Sequence, residues 1–246
     1  MWNGKKISVV MATYKEKDSI RRVIEEFQDT GLVDEIIVVN NNAELGTDEE
    51  VAKNKASLLY ENKQGYGHAF ATGLRAAHGD YILTVEPDGT YTAKDLQRFL
   101  VFAEDFPVVL GSRAMTRIKN MEWGFFRRHA NIIMGMMISF LFRMNTTTDI
   151  GCIYRLFHKE VVIRLERLWN EKHFFATDLM LLVVKQRIPY VEIAVTFQPR
   201  IGHSTMLGSR FKLFKYGMLD AIYILKNWFF WAIGRAYQKL FRTIIQ

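Results

Sequence analysis

The chain reads as an α/β protein: a mostly parallel sheet flanked by helices, followed by an amphipathic helical tail. Three observations support this. Strand-like and helix-like segments alternate at short spacing through the first half, the pattern of βαβ units in a doubly wound sheet. Several strand segments are continuous apolar runs, as expected where both faces of a sheet are covered. One of them, Tyr81 to Val85, is bounded by Gly79-Asp80 and by Pro87 and Gly89, and runs directly into two carboxylates, Glu86 and Asp88.

In chain order, Lys6 to Ala12 is the first expected strand, and Asp18-Ser19 caps a helix reaching about Asp29. Glu35 to Val39 is the second strand, ending in Asn40-Asn41-Asn42. A short helix near Thr47 to Lys55 and a strand at Ser57 to Tyr60 follow. The stretch Asn62 to Ala69 opens a helix reaching about Ala77, ahead of the central strand. A helix from Thr92 to Ala103 and a strand at Pro107 to Gly111 complete this rhythm.

Past Ser112 the pattern changes. Trp123 to Met144 carries Ile132, Ile133, Met136, Met137, Phe140 and Leu141 at the spacing of a helical face. Its uncharged run, Ala130 to Phe142, is shorter than the roughly 20 residues that span a bilayer. Asp149 to Phe157 is expected to return to the sheet. Lys159 to Trp169 and Phe174 to Lys185 read as helices, and Tyr190 to Phe197 as the last strand. Without an internal repeat or a linker-like segment, residues 1–206 form one expected domain and residues 207–246 a tail.

The 246 residues carry a formal charge of +7. From Arg200 onward there are eight basic residues against Asp220 alone, so the whole excess lies beyond residue 199, almost all of it in the tail, and the first 199 residues are neutral. A nucleic-acid binder usually spreads a basic stripe over its folded domain, and this distribution argues against that partner. In the tail, Phe211, Phe214, Met218, Ile222, Leu225 and Phe229 recur at three- and four-residue steps, followed by Trp228-Phe229-Phe230-Trp231. A basic, aromatic amphipathic helix suits an anionic membrane surface. Packing on its own domain or on a second subunit, as in a homo-oligomer, is the plain alternative. The single cysteine, Cys152, excludes an internal disulfide and reads as a small buried residue. No apolar leader follows Met1 to Lys6, so action in the cytoplasm, peripheral on the cytosolic face of a membrane, is expected.

The strand ends converge on one crevice: Thr13-Tyr14-Lys15-Glu16, Asn40, Glu86 with Asp88, and Gly111-Ser112-Arg113. Ligands of open α/β sheets bind outside the carboxyl ends of the strands, and two carboxylates one residue apart there could hold Mg²⁺ or Mn²⁺ together with substrate phosphates. Each motif alone has a plainer reading. Glu86 and Asp88 could form a solvated acidic turn, Asn40 a turn residue, Gly65 and Gly67 backbone geometry only, and Arg113 a surface charge. The six histidines show no metal-ligand spacing; His203 could line the site.

Seven pieces in order, SVVMATYKEKDSI from Ser8, EIIVVNNN from Glu35, NKQGYGHAFATGL from Asn62, GDYILTVEPDGTY from Gly79, VVLGSRAM from Val108, DIGCIYRLFHKE from Asp149 and VTFQPRIGHST from Val195, resemble family 2 inverting glycosyltransferases of the GT-A (Rossmann-like) fold. Among these the resemblance is to polyprenyl-phosphate sugar transferases, the group of dolichyl-phosphate mannose synthase. It implies that Thr13, Tyr14, Glu16 and Asn40 bind the nucleoside of a UDP- or GDP-linked sugar, and that Gly65, Gly67 and Ala69 line the donor site. It further implies that Glu86 and Asp88 hold the metal, and that Arg113, Arg127, Arg155, Arg200 and Ser204 face phosphates. Asn40 and Asn41 stand where two aspartates are usual, Glu86 where an aspartate is usual, Ile153 for a glycine and Met206 for a lysine.

The implied catalytic set is Asp88, Arg113, Asp149 and Asp178. A polyprenyl phosphate acceptor is already an anion near neutral pH, so arginines matter more than a base. A sugar hydroxyl, as on a lipid-linked glycan or polysaccharide, needs a carboxylate to take its proton, for which Asp149 and Asp178 are the candidates. Asp178 could equally be a surface carboxylate at a helix start. A catalytically silent membrane-surface protein is a further alternative. A dinucleotide-dependent oxidoreductase is disfavoured, because Thr13-Tyr14-Lys15-Glu16 is not a glycine fingerprint.

Overall fold

A computed structural model describes residues 1–115, 125–145, 147–169, 174–202 and 210–245, and the side chains of all of these except 125–127, 210–213 and 236–245. Seven strands form one sheet in the order β3-β2-β1-β4-β6-β5-β7. They are β1 (Ile7–Thr13), β2 (Glu35–Asn40), β3 (Ser57–Tyr60), β4 (Tyr81–Val85), β5 (Val108–Ser112), β6 (Arg155–His158) and β7 (Val191–Ala194). All neighbours are parallel except β6, which runs antiparallel to both β4 and β5.

Along β1 the side chains alternate between two cores, as strand geometry requires. Val10 packs with β2 and with α3 (Tyr66–Ala76) and α7 (Phe175–Lys185) on one face. Ile7, Val9 and Met11 pack with α1 (Lys17–Gln28) and α4 (Leu96–Ala103) on the other. In α1 the buried residues Ile20, Val23, Ile24 and Phe27 recur at three- and four-residue steps, one apolar stripe against the sheet. Almost all of α7 is buried, from Phe175 to Val184, so it reads apolar on every side. The remaining helices are α2 (Thr47–Ala52), α5 (Phe125–Phe142), α6 (Lys159–Leu165) and α8 (Arg210–Ile245).

Several expected boundaries move. Helix α1 begins at Lys17 after Glu16, with no side-chain cap. Ser19 Oγ instead donates to Pro87 O at 2.7 Å, tying the helix to the end of β4. The segment after Thr92 starts as a 3₁₀ turn, Ala93–Asp95, before α4. Of the expected strand from Asp149 to Phe157, only Arg155 onward joins the sheet, because side chains rather than a neighbouring strand hold the backbone of Thr148 and Asp149. The last strand stops at Ala194, and the chain continues irregularly with Thr196 N bound to the Asp95 carboxylate. The expected helix start at Trp123 lies outside the described residues.

Helix α8 packs Tyr223, Ile224, Trp228 and Trp231 against the domain, with Trp231 5.1 Å from Phe142 of α5, ring centre to ring centre. Its polar inward groups are paired with α7: Thr177 donates to Asp220 and Lys185 to Asn227. The outer stripe, Phe214, Met218, Ile222, Leu225 and Phe229, is exposed, Phe214 by 69% and Phe229 by 55%. One face of the tail thus packs on its own domain, and the outer stripe is left exposed.

Candidate active site

The sheet order places β1 between β2 and β4, so the chain direction of assembly reverses between β1 and β4, where α/β folds bind ligands. Thr13 ends β1, opposite Asn40 at the end of β2, and Glu86 follows β4 directly. Asp88 is buried; its Oδ1 accepts from Thr90 N at 2.9 Å and Thr90 Oγ1 at 2.6 Å. Its Oδ2 lies 3.0 Å from Arg200 Nη1, and Arg200 Nη2 donates to Glu16 Oε1 at 2.5 Å. Glu16 Oε2 accepts from the backbone N–H of Tyr14 at 2.7 Å and Lys15 at 2.8 Å, which closes the loop after β1.

Arg200 thus bridges two carboxylates that are 72 residues apart in sequence and on different strand ends. Its segment is held in place by the backbone, with Ile201 N donating to Asp88 O and Gln198 N to Thr90 O, each at 2.9 Å. Arg200 Nε is buried and has no hydrogen-bond partner among the described residues.

Burial pushes the Glu86 carboxyl up to about 7, and the charge of Asp88 adds to the rise, against the opposing pull of Arg113 and Arg200. Two oxygen-donor groups whose mutual repulsion is only partly met by cations fit a hard divalent ion. Such ions are commonly held by one or two carboxylates plus substrate phosphates and water. Among the described residues no group of three or more His, Cys, Asp or Glu side chains is placed to hold a metal ion.

At the end of β5, Arg113 is buried and forms a fork with Asp149. Nε donates to Oδ2 at 2.7 Å, Nη2 to Oδ1 at 2.9 Å, and the backbone N–H of Arg113 to Oδ2 at 3.0 Å. Burial opposes the guanidinium charge, but Asp149 together with Tyr91 and Cys152 outweighs it and holds the Arg113 pKa above its ordinary value. The guanidinium carbon lies 5.6 Å from the ring centre of Phe197, and Phe197 in turn bridges to Tyr91 just past Asp88.

In the loop before α3, Gly65 sits at φ +140°, a conformation that L side chains rarely adopt, and its N–H donates to Asn41 Oδ1 at 2.8 Å. Asn41 Nδ2 donates to Glu61 O and Lys63 O, so this side chain shapes the whole loop before α3. Gly67 and Ala69 are buried in the first turns of α3. Asn40 has its amide engaged by Asp48 at 2.6 Å and by Ala43 N at 2.8 Å, and Tyr14 lies half-exposed at the rim.

Two expected roles change. Arg155 is fully buried, and its three guanidinium nitrogens donate to the carbonyls of Cys152, Ala176 and Ile150; it knits loop to helix instead of facing a phosphate. Asp178 is no surface carboxylate. It is buried at the α7–α8 seam, where Tyr223 Oη donates to Oδ1 at 2.5 Å. The side chain of Arg127 and all of Ser204, His203 and Met206 lie outside the described residues. Cys152 is buried, with its thiol pushed up to about 11 by burial. The residues missed by sequence reasoning are Thr90 and Glu192. Thr90 had a signal in its two-residue spacing from Asp88, the geometry of an Asx turn.

The seven-stranded, mostly parallel sheet with its switch point between β1 and β4 is a fold of GT-A type. The profile of glycosyl transferase family 2 matches residues 8–165, and the chain belongs to that family. A dolichyl-phosphate hexose transferase of Haloferax volcanii is 25% identical over 202 residues, covering 81% of this chain and 86% of its own. An undecaprenyl-phosphate mannosyltransferase of Micrococcus luteus is 24% identical over 215 residues, covering 82% of this chain and 88% of its own. Among solved structures, glucosyl-3-phosphoglycerate synthase of Mycobacterium tuberculosis in complex with Mn²⁺, UDP and phosphoglyceric acid superposes with a TM-score of 0.68. That match covers 92% of this chain and 79% of the other at 17% identity, a likeness of fold.

Proposed function

We propose that this glycosyltransferase is metal-dependent and inverting, and that it moves a sugar from a UDP- or GDP-linked donor to a polyprenyl phosphate, undecaprenyl or dolichyl, at the cytosolic face of a membrane. The observation that carries the choice of acceptor is that both candidate bases are engaged elsewhere: Asp149 in the fork with Arg113 and Asp178 by Tyr223. A sugar hydroxyl needs a base; a lipid phosphate arrives ionised. The two similar enzymes from Haloferax and Micrococcus, named for polyprenyl-phosphate substrates, support the same reading.

Thr13, Tyr14, Glu16 and Asn40 would hold the nucleoside, and Gly65, Gly67 and Ala69 would leave room for the donor. Glu86 and Asp88 would hold Mg²⁺ or Mn²⁺, which supplies compact positive charge to the diphosphate. An acceptor phosphate oxygen attacks the anomeric carbon as its bond to the diphosphate breaks, and negative charge grows on the leaving group. Arg113, fixed in plane by Asp149, is the preorganised cation for that charge, and Arg200 is a second. Arg127 and Ser204 are assigned to the acceptor phosphate on the family resemblance.

The exposed stripe of α8, flanked by Lys215, Lys226 and Arg235, is the surface proposed to meet anionic lipid. Helix α5 adds Ile133, Met136 and Phe140, exposed on one stripe. Among the described residues no helix is long and apolar enough to cross a membrane.

The test is incubation with radiolabelled UDP-glucose or GDP-mannose, Mn²⁺ and undecaprenyl or dolichyl phosphate, followed by solvent extraction. Label in the lipid phase is expected. Label confined to a water-soluble glycan, and abolished by Asp178→Asn, would overturn the assignment of the acceptor.

A further inference from the structure

Helix α5, strand β7 and the loop between α5 and β6 meet at one carboxylate that the mechanism above does not use. Glu192 lies in β7 opposite Leu110 of β5, two residues before the position paired with Ser112. Its Oε1 accepts from Thr147 Oγ1 at 3.1 Å, Thr148 N at 3.0 Å and Asp149 N at 3.0 Å. Its Oε2 accepts from Thr148 N at 2.8 Å and Thr148 Oγ1 at 2.9 Å. Thr148 Oγ1 is also 2.7 Å from Ser112 Oγ, at the end of β5. From the other side, α5 presses on the loop so closely that a Cβ at Gly135 would stand 2.1 Å from Thr147 O.

Among the described residues the loop before Asp149 has no ladder partner in the sheet, and two of its backbone donors depend on this side chain. The next link is the Asp149 fork, which sets the plane of the Arg113 guanidinium. We propose that Glu192 is a positioning residue of the active site: by holding the backbone of Thr148 and Asp149 it sets the fork that aims Arg113 at the leaving diphosphate. The inference rests on the assignment of Arg113 to the donor phosphates. Misplacement of a charged group by about 1 Å can cost on the order of 100-fold in rate, so a loose fork is felt in turnover.

A double-mutant cycle in the lipid-phosphate transfer assay, with rates expressed per folded enzyme, tests it. Arg113→Ala is expected to lower kcat strongly and Glu192→Ala on the order of 10- to 100-fold. The double variant should be no slower than Arg113→Ala alone. Glu192→Gln keeps one acceptor oxygen and should recover part of the loss. Independently of any substrate, amide hydrogen exchange at Thr148 and Asp149 should quicken in Glu192→Ala and stay as in the wild type in Arg113→Ala. Losses that multiply in the double variant, or a wild-type kcat per folded molecule in Glu192→Ala, would overturn the proposal while leaving the role of Arg113 intact. A wild-type rate in Arg113→Ala would instead remove the phosphate assignment of Arg113, and this proposal with it.

Discussion

Replacing Glu86 by glutamine separates the cost of the acidic pair from its use. Burial and the charge of Asp88 raise the Glu86 carboxyl from about 4.5 to about 7. At about 1.36 kcal/mol per pKa unit, that rise is worth about 3 kcal/mol. The sign follows from linkage: the native state holds this proton more tightly than the unfolded chain, so the group's contribution is fully favourable below pH 4.5 and is lost as pH rises through 7. Glutamine cannot ionise, so Glu86→Gln should differ from the wild type by less than about 1 kcal/mol at pH 5 and be more stable by about 3 kcal/mol at pH 8. For a chain of this size that is a rise in Tm of roughly 6–10 °C at pH 8. Thermal unfolding with chelator at both pH values measures it. Mn²⁺ at about 100 times its Kd should then add about 2.7 kcal/mol to the wild type and nothing to the variant. Equal shifts at pH 5 and pH 8, or a variant no more stable than the wild type at pH 8, would refute the claim that Glu86 is held charged against its surroundings.

Arg200→Ala removes the cation between Glu16 and Asp88; calorimetry should show tighter Mn²⁺ binding at pH 8 while sugar transfer falls, and unchanged Mn²⁺ affinity would count against a shared site. Phe142→Ala deletes a fully buried ring that packs on Trp231, and urea unfolding should show a loss of about 3–5 kcal/mol. Phe214→Glu with Phe229→Glu alters only exposed positions of α8, so stability should stay within about 0.5 kcal/mol per site; co-sedimentation with vesicles containing anionic lipid should be lost, and retained binding would refute the proposed membrane surface.

The acidic pair was legible because local signals agree: an apolar β-branched run, a proline, a glycine and two carboxylates occupy nine consecutive positions from Tyr81 to Gly89. The direction of β6 was not, since a period-two pattern is the same for parallel and antiparallel strands. Residues 149–154 carried a strand-like composition but lie in a loop whose polar groups are held by side chains, Asp149 by Glu192 and Arg113, and the carbonyls of Ile150 and Cys152 by Arg155. The family resemblance implied Arg155 as a phosphate ligand; the fold buries it among the carbonyls of Cys152, Ala176 and Ile150. A lone glutamate in Val191-Glu192-Ile193 gave no sign of the four donor groups, on Thr147, Thr148 and Asp149, that it binds far away in the chain.

Hydrophobic period, turn residues and the order of motifs are properties of neighbouring residues, and they determined the class of fold, the family and the acidic mouth of the sheet. The pairings of charge were decided only by tertiary structure: Arg200 with Glu16 and Asp88, Arg113 with Asp149, Glu192 with the loop before Asp149, and Tyr223 with Asp178. A carboxylate or guanidinium binds whichever group the strand order and helix packing bring within about 3 Å, and that distance has no counterpart along the sequence.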